Sequence, residues 1–208
     1  SPALASQIAR VSAGEVASVI GLDIAQANAI VYQQLRESLE PTPGERIQFL
    51  AHDFSLGLGP LSDNAFDGVV SGLSISYAQS FDEATGKWTS TAYDYLLKEV
   101  FRILKPGGRF VFSVNVPHPS WAKIAWMSLA EAGRVRKPLR YLKKSWRMLR
   151  YGHWLKVEAR TGRFHYLPAE IVTDKLGRAG FSSIEHRRCY AGQAFLFRCC
   201  KANSQGAS

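Results

Sequence analysis

The chain has 208 residues, 46% of them hydrophobic and 21% charged, with a formal net charge of +9 at pH 7. That is apolar material for one domain with a real core, yet no stretch reaches the ~20 consecutive apolar residues of a membrane-spanning helix, so a helical membrane protein is excluded and a soluble single domain is expected. The basicity is local: twelve Lys and Arg stand against Glu131 and Glu158 between His118 and His165, a balance of +10, which leaves the remainder at −1. Cys189, Cys199 and Cys200 form neither a disulfide framework nor a spaced metal set, because neighbours in a strand point to opposite faces. Reduced structural cysteines, a cytoplasmic location and no metal are therefore expected.

Taken in chain order, Ala3 to Val16 reads as a helix of modest amphipathicity. Ser18 to Leu22 predicts a strand ending at Asp23, and Ala25 to Leu39 a helix with Ile30, Val31, Leu35 and Leu39 on its buried side. The breaker cluster Pro41 to Glu45 ends that helix. Arg46 to Ala51 and Phe66 to Ser71 are the next strands, with Asp63 to Asp67 a turn that feeds the second. Tyr93, Leu96, Leu97, Val100, Phe101 and Leu104 then fall at helical spacing, opposite Asp94, Lys98, Glu99 and Arg102. Pro106, Gly107 and Gly108 are expected to stop this helix, since proline cannot continue it and glycine adopts the left-handed cap. Arg109 to Asn115 follows as a strand covered on both faces. Strands alternating with helices predict crossover connections, a parallel sheet, and ligands at the carboxyl ends of its strands. Between Ser120 and Arg163, Ala122 to Ala132 and Pro138 to Arg150 read as helices, the second with Leu142, Trp146 and Leu149 opposite Arg140, Lys143, Lys144 and Arg147.

The words LLKEVFRILKPGGRFVFSVNVPHP resemble the helix, turn and fifth strand of class I S-adenosylmethionine (SAM) dependent methyltransferases of the small-molecule type. VIGLD, FLAHDFS and LSDNAFDGVVSGLSISYA stand in the order and spacing of that family's second, third and fourth strands. FHYLPAEIVTDKLGRAGF is similar to its last helix and turn, and AFLFRCCK to its final strand. The resemblance implies an α/β, Rossmann-like class I methyltransferase fold. Its sheet is mostly parallel, closed by an antiparallel hairpin of Ser182 to Arg188 with Ala194 to Lys201. Residues 1–208 would form one domain with a basic lid-like insertion at about 120–163. In the family a first strand and a glycine-rich loop, roughly D-x-G-x-G-x-G, precede the first helix. The resemblance thus implies that the chain starts after that loop, lacks the first strand, and is by itself catalytically silent and poorly stable.

Candidate site residues follow from position. Asp23 ends its strand after Gly21 and Leu22, where a carboxylate can accept from the two vicinal ribose hydroxyls, or be a solvated strand-end acid; Ile24 would pack on the adenine. In His52-Asp53-Phe54 the Asp53 carboxylate can accept from the adenine amine and the Phe54 N–H can donate to a ring nitrogen; the alternative is an Asx-turn. Ser71, Gly72 and Leu73 leave the fourth family strand where, by resemblance, the chain passes the methionine part of SAM. Methyl transfer from a sulfonium requires alignment, plus a base where the acceptor is an alcohol or phenol. His118, held between Pro117 and Pro119, is a candidate base or a supporting loop histidine, and Tyr77, His165 and Tyr166 are further pocket-lining candidates.

The leading function is thus a methyltransferase (EC 2.1.1 class) with SAM as cofactor and a small-molecule acceptor. The runner-up acts on RNA or an anionic ligand, because Trp121, Trp126, Trp146, Trp154 and Tyr141 interleave with the basic insertion; a lipid-facing lid and a non-catalytic methyltransferase-like protein are the other readings. The segment SGLS stands where a DNA amino-methyltransferase would carry Asn-Pro-Pro-Tyr, which disfavours that class.

Overall fold

A computed structural model describes residues 18–38, 46–120 and 150–203. The expected helices Ala3 to Val16 and Ala122 to Ala132, and that over Pro138 to Arg150 except Arg150 itself, lie outside the described residues. The chain divides into two compact units, Ser1–Phe54 and Ser55–Ser208.

In the first unit β1 (Val19–Asp23) and β2 (Ile47–Ala51) pair in parallel, from Val19 opposite Ile47 to Asp23 opposite Ala51, and α1 (Asn28–Ser38) is the crossover between them. α1 buries only part of the expected face: Leu35 packs as expected, and Leu39 lies outside the described residues. Ile30 and Val31 are 62% and 42% exposed, whereas Tyr32 is buried against Ile47, with Val19, Leu35 and Phe49 around them. A Cβ at Gly21 would lie 2.2 Å from the Tyr32 ring, so the bare glycine leaves the room that the ring occupies.

The second unit contains β3 (Phe66–Gly72), β4 (Ser80–Asp82), β5 (Lys87–Thr89), α2 (Thr91–Ile103), β6 (Leu104–Asn115), helical residues 150–160 (α3), α4 (Ala169–Arg178), β7 (Phe181–Cys189) and β8 (Ala194–Lys201). Its main sheet runs β3-β6-β8-β7, with β3 parallel to β6 and the other two pairs antiparallel, so the closing hairpin is present. β4 and β5 form a separate small hairpin. β1 and β3, which the resemblance sets on either side of a further strand, belong to different sheets.

Alternation along β6 puts Phe110, Phe112 and Val114 on one face, opposite Cys199, Phe197 and Phe195 of β8. Phe112 stacks on Phe110 at 4.4 Å and on Phe197 at 5.3 Å, and Phe181 links this row to Phe101 of α2 at 5.3 Å. Tyr93, Leu97, Val172 and Leu176 from α2 and α4 are fully buried. Their spacing is that of the amphipathic faces read from sequence.

The Pro-Gly-Gly run does not cap α2. The helix ends at Ile103, and Pro106, Gly107 and Gly108 lie within β6, in a bulge where pairing jumps from Phe66 opposite Leu104 to Gly68 opposite Arg109. Gly107 has φ +78°, and a Cβ on Gly108 would meet the Lys105 carbonyl at 2.8 Å, so the glycines serve the bulge. The carbonyls at the end of the helix go elsewhere. Asn64 and Ala65 donate their N–H groups to Arg102 and Ile103, at 3.0 and 2.8 Å, and the Lys201 ammonium donates to the Phe101 and Leu104 carbonyls, at 2.9 and 2.8 Å. Lys201 also lies 4.7 Å from the Phe101 ring centre. Lys201→Met, which keeps the stem and removes the donor, is expected to lower stability by about 1 to 2 kcal/mol in denaturant unfolding; an unshifted midpoint would show that the carbonyls are satisfied without it.

Candidate functional site

In the first unit two parallel strand tips stand side by side. The His52 N–H donates to the Asp23 carbonyl at 3.0 Å, which sets His52, Asp53 and Phe54 next to the end of β1. The Asp23 carboxylate accepts from the Ala25 N–H at 2.9 Å through one oxygen, and Ile24 beside it is exposed. Burial, and then the Asp23 charge, push the Tyr32 phenol above its usual range, so it stays neutral beneath that carboxylate.

In the second unit the exit of β3 is a strained corner. Ser71 and Gly72 pair with Phe112 and Ser113, and Leu73 then takes a left-handed conformation with φ +58°, its N–H held by the Ser113 carbonyl and hydroxyl, both at 3.1 Å. That N–H is therefore already engaged. The corner leads into the 3-10 turn Ile75–Tyr77, which buries Ile75 and Ser76 and leaves Tyr77 half-buried.

The Tyr77 hydroxyl lies 3.2 Å from that of Tyr166, which is buried in the segment before α4. Burial raises the pKa of both phenols, and their mutual hydrogen bond raises Tyr166 further while drawing Tyr77 down; buried Asn115, the last residue of β6, draws both down to a smaller degree. Either hydroxyl can be the donor of the pair. Phenols held above 10 are hydrogen-bonding groups at neutral pH, not bases. Around them, Phe164 meets the Tyr77 ring edge-on at 4.9 Å, Trp154 meets Phe164 at 5.8 Å, and Tyr151 stacks on Trp154 at 5.4 Å. Leu155, Phe164 and Tyr166 form the buried cluster that seats α3 beside this pair.

His165 is buried and occupied on two sides. Its N–H donates to the Ser76 carbonyl at 2.8 Å, and Nε2 lies 3.0 Å from the Ala78 carbonyl, so that nitrogen carries the proton and donates. Burial lowers its pKa, keeping the ring neutral. His118 is exposed on the loop after β6, and among the described residues no hydrogen bond joins it to the tyrosines. No three His, Cys, Asp or Glu among the described residues are grouped to hold a metal ion, and no described helix is long and apolar enough to cross a membrane.

The sequence marks Tyr77, His165 and Tyr166 as pocket-lining candidates but not Asn115, Phe164 or the helix over 150–160 that carries Tyr151. Asn115 did leave a signal, as the polar end of an otherwise apolar strand.

A family model described as a methyltransferase domain matches residues 3–112. Among solved structures, a chain of the Haloferax volcanii complex between the Trm112 methyltransferase activator and a candidate methyltransferase aligns at TM-score 0.57 and 15% identity, covering 98% of this chain and 81% of that one. PigF with SAH aligns at TM-score 0.56 and 20% identity, over 96% of this chain and 47% of its own. Haemonchus contortus phosphoethanolamine N-methyltransferase 2, in complex with S-adenosyl-L-methionine, aligns at TM-score 0.53 and 14% identity, over 93% and 45%. At these identities the likeness establishes the fold, and the chain spans about half the length of the last two structures. No curated protein matches it in sequence.

Proposed function

The chain belongs to the methyltransferase-domain family, and from that premise we propose that the protein is a SAM-dependent methyltransferase acting on a small-molecule acceptor in the cytoplasm. We read both compact units as parts of one such domain, since the family match runs from the first into the second. The observation that carries the cofactor assignment is the Asp23 carboxylate at a parallel strand tip, where one oxygen accepts from Ala25 and, among the described residues, no hydrogen bond reaches the other, beside His52, Asp53 and Phe54. The adenosine end would rest on these residues, with Ile24 against the base. By the resemblance alone, Ser71, Gly72 and Leu73 of the second unit are proposed for the methionine part of SAM; the Leu73 N–H is engaged by Ser113.

When bound, SAM supplies a methyl group on a sulfonium, which passes to the acceptor atom and leaves the neutral thioether. The protein's own part is alignment and exclusion of water. Tyr77, its hydroxyl 3.2 Å from that of Tyr166, would orient the acceptor. His165 would be a positioning residue: bonded to both Ser76 and Ala78, it ties the segment of Tyr166 to the turn of Tyr77. His118 is the proposed base for an acceptor that must lose a proton, reaching it from its exposed loop.

Asp23→Ala is expected to weaken SAM binding by about 1.5 to 3 kcal/mol, roughly ten- to a hundredfold, as for hydrogen bonds to a charged group. Isothermal calorimetry decides it, with thermal unfolding of the variant as a check on the fold; unchanged affinity in a folded variant would remove Asp23 from the site.

A further inference from the structure

Helix α3 is seated by one side only. Gly152 and Leu155 are buried, and Leu155 packs with Phe164 and Tyr166. On the outward side Tyr151, Trp154 and Val157 recur every three residues and form one stripe, 58%, 40% and 43% exposed. Trp154 stands edge-on to Phe164 at 5.8 Å and Tyr151 stacks on Trp154 at 5.4 Å, so both rings are held in place at the surface. Three large apolar side chains in one stripe are more than the scattered exposure that a surface ordinarily carries.

The charge beside this stripe has one sign. His153, Lys156 and Arg160 recur at helical spacing along its flank, and Arg150 precedes it. Glu158 is the one carboxylate of residues 150–160, and Arg163 engages it at 3.1 Å; among the described residues Arg150, Lys156 and Arg160 make no ion pair. The helix also belongs to the stretch His118 to His165, whose balance is +10. Its complement is an anionic surface.

Rings and aliphatic carbon on one side, with cations on the next, suit a helix that lies in a membrane interface. The apolar side chains enter the boundary of headgroups and acyl chains, while Lys and Arg reach the lipid phosphates. Base stacking fits less well: Tyr151 and Trp154 cover one ring face of each other at an interplanar angle of 27°, and Val157 offers carbon that neither a base nor a phosphate needs.

We infer that the exposed side of α3 is a docking surface for an anionic membrane, with Tyr151, Trp154 and Val157 in the headgroup boundary and Arg150, Lys156 and Arg160 on the lipid phosphates. The contact needs no methyl transfer, so its outcome is separate from that of the SAM titration.

The test is co-sedimentation of the purified protein with vesicles of phosphatidylcholine alone and of phosphatidylcholine mixed with phosphatidylglycerol. The mixed vesicles should bind about tenfold or more tighter, and the difference should shrink as salt is added. Tyr151→Ser and Val157→Ser, both at exposed positions, should each weaken binding to the mixed vesicles severalfold. Lys156→Glu combined with Arg160→Glu should remove the preference for them, and Lys156→Gln with Arg160→Gln replaces that pair should thermal unfolding show it misfolded. Equal binding to the two vesicles, binding to neither, binding that none of these variants changes, or tighter binding of a mixed RNA at physiological salt that the same variants weaken, overturns the inference.

Discussion

Phe112→Ala is expected to destabilise the larger unit by about 3 to 5 kcal/mol, the range for truncating a fully buried aromatic residue. Phe112 has no exposed surface and sits on β6, the strand flanked by β3 and β8. It stacks between Phe110 and Phe197 at interplanar angles of 15° and 13°, so its removal deletes two ring contacts and leaves a cavity that neighbours on a hydrogen-bonded sheet cannot fill by moving. Against a whole folding stability of about 5 to 15 kcal/mol, that loss is a large fraction of the total. Phe112→Leu, closer in volume, should cost much less, roughly 1 to 2 kcal/mol. Urea unfolding of both variants checks the pair of values, and a loss below about 1 kcal/mol for the alanine variant would mean that this row of rings is not the core.

Glu99→Ala is the second large effect, about 3 kcal/mol. Glu99 is buried on α2, where it accepts from Arg102 Nε and Nη2 at 2.8 and 2.9 Å and from the Leu58 N–H at 2.9 Å. Arg102 in turn donates to the Leu58 and Leu61 carbonyls and to Asp63, so the two side chains pin residues 58–63 to the helix. Removing the carboxylate leaves a guanidinium short of its partner and a backbone N–H without an acceptor; the 28% exposure of Arg102 keeps the cost at the lower end for a broken ion pair. The sign with pH follows. The Arg102 hydrogen bonds, and after them the Leu58 N–H, hold the Glu99 carboxyl below its ordinary 4.5. Its contribution is therefore complete above the unfolded value and is lost as pH falls through the lower folded one. Glu99→Gln should flatten the acid limb of the stability curve in that window, and an unchanged limb would place acid sensitivity elsewhere.

His165 adds a separate acid term of the same sign. Its pKa is lowered chiefly by burial, so the folded state resists protonation, and stability declines as pH falls below the ordinary histidine range of about 6.5. A variant lacking the imidazole should lose that part of the pH dependence while the carboxylate part remains, which separates the two in one titration.

Much of this protein was legible from local pattern. Period and propensity placed β2, β3, α2 and β8 to within a residue or two, and the alternation of strand and helix implied parallel pairing, seen between β1 and β2 and between β3 and β6. Asp23 and Asp53 were legible as strand-tip acids for the same reason: the end of an apolar run is visible in the residues themselves. Local pattern also misled where one neighbour mattered more than the period. Ile30 and Val31 suit a buried face, but the slot at Gly21 admits Tyr32 instead, and the Pro-Gly-Gly run suits a helix stop yet forms a strand bulge against Phe66.

Composition, period and spacing by themselves determined that strands and helices alternate, where β1, β2, β3 and β6 lie and which acids end the first two, because each depends on residues within a few positions of one another; the β4–β5 hairpin was not legible in them. Tertiary structure alone decided that Tyr77 meets Tyr166 across 89 positions, that Asn115 faces them both, and that Lys201 closes a helix 100 positions earlier. Those partners are chosen by sheet register and helix seating. A one-residue slip in β8 would carry Lys201 to the opposite face and leave every local pattern unchanged.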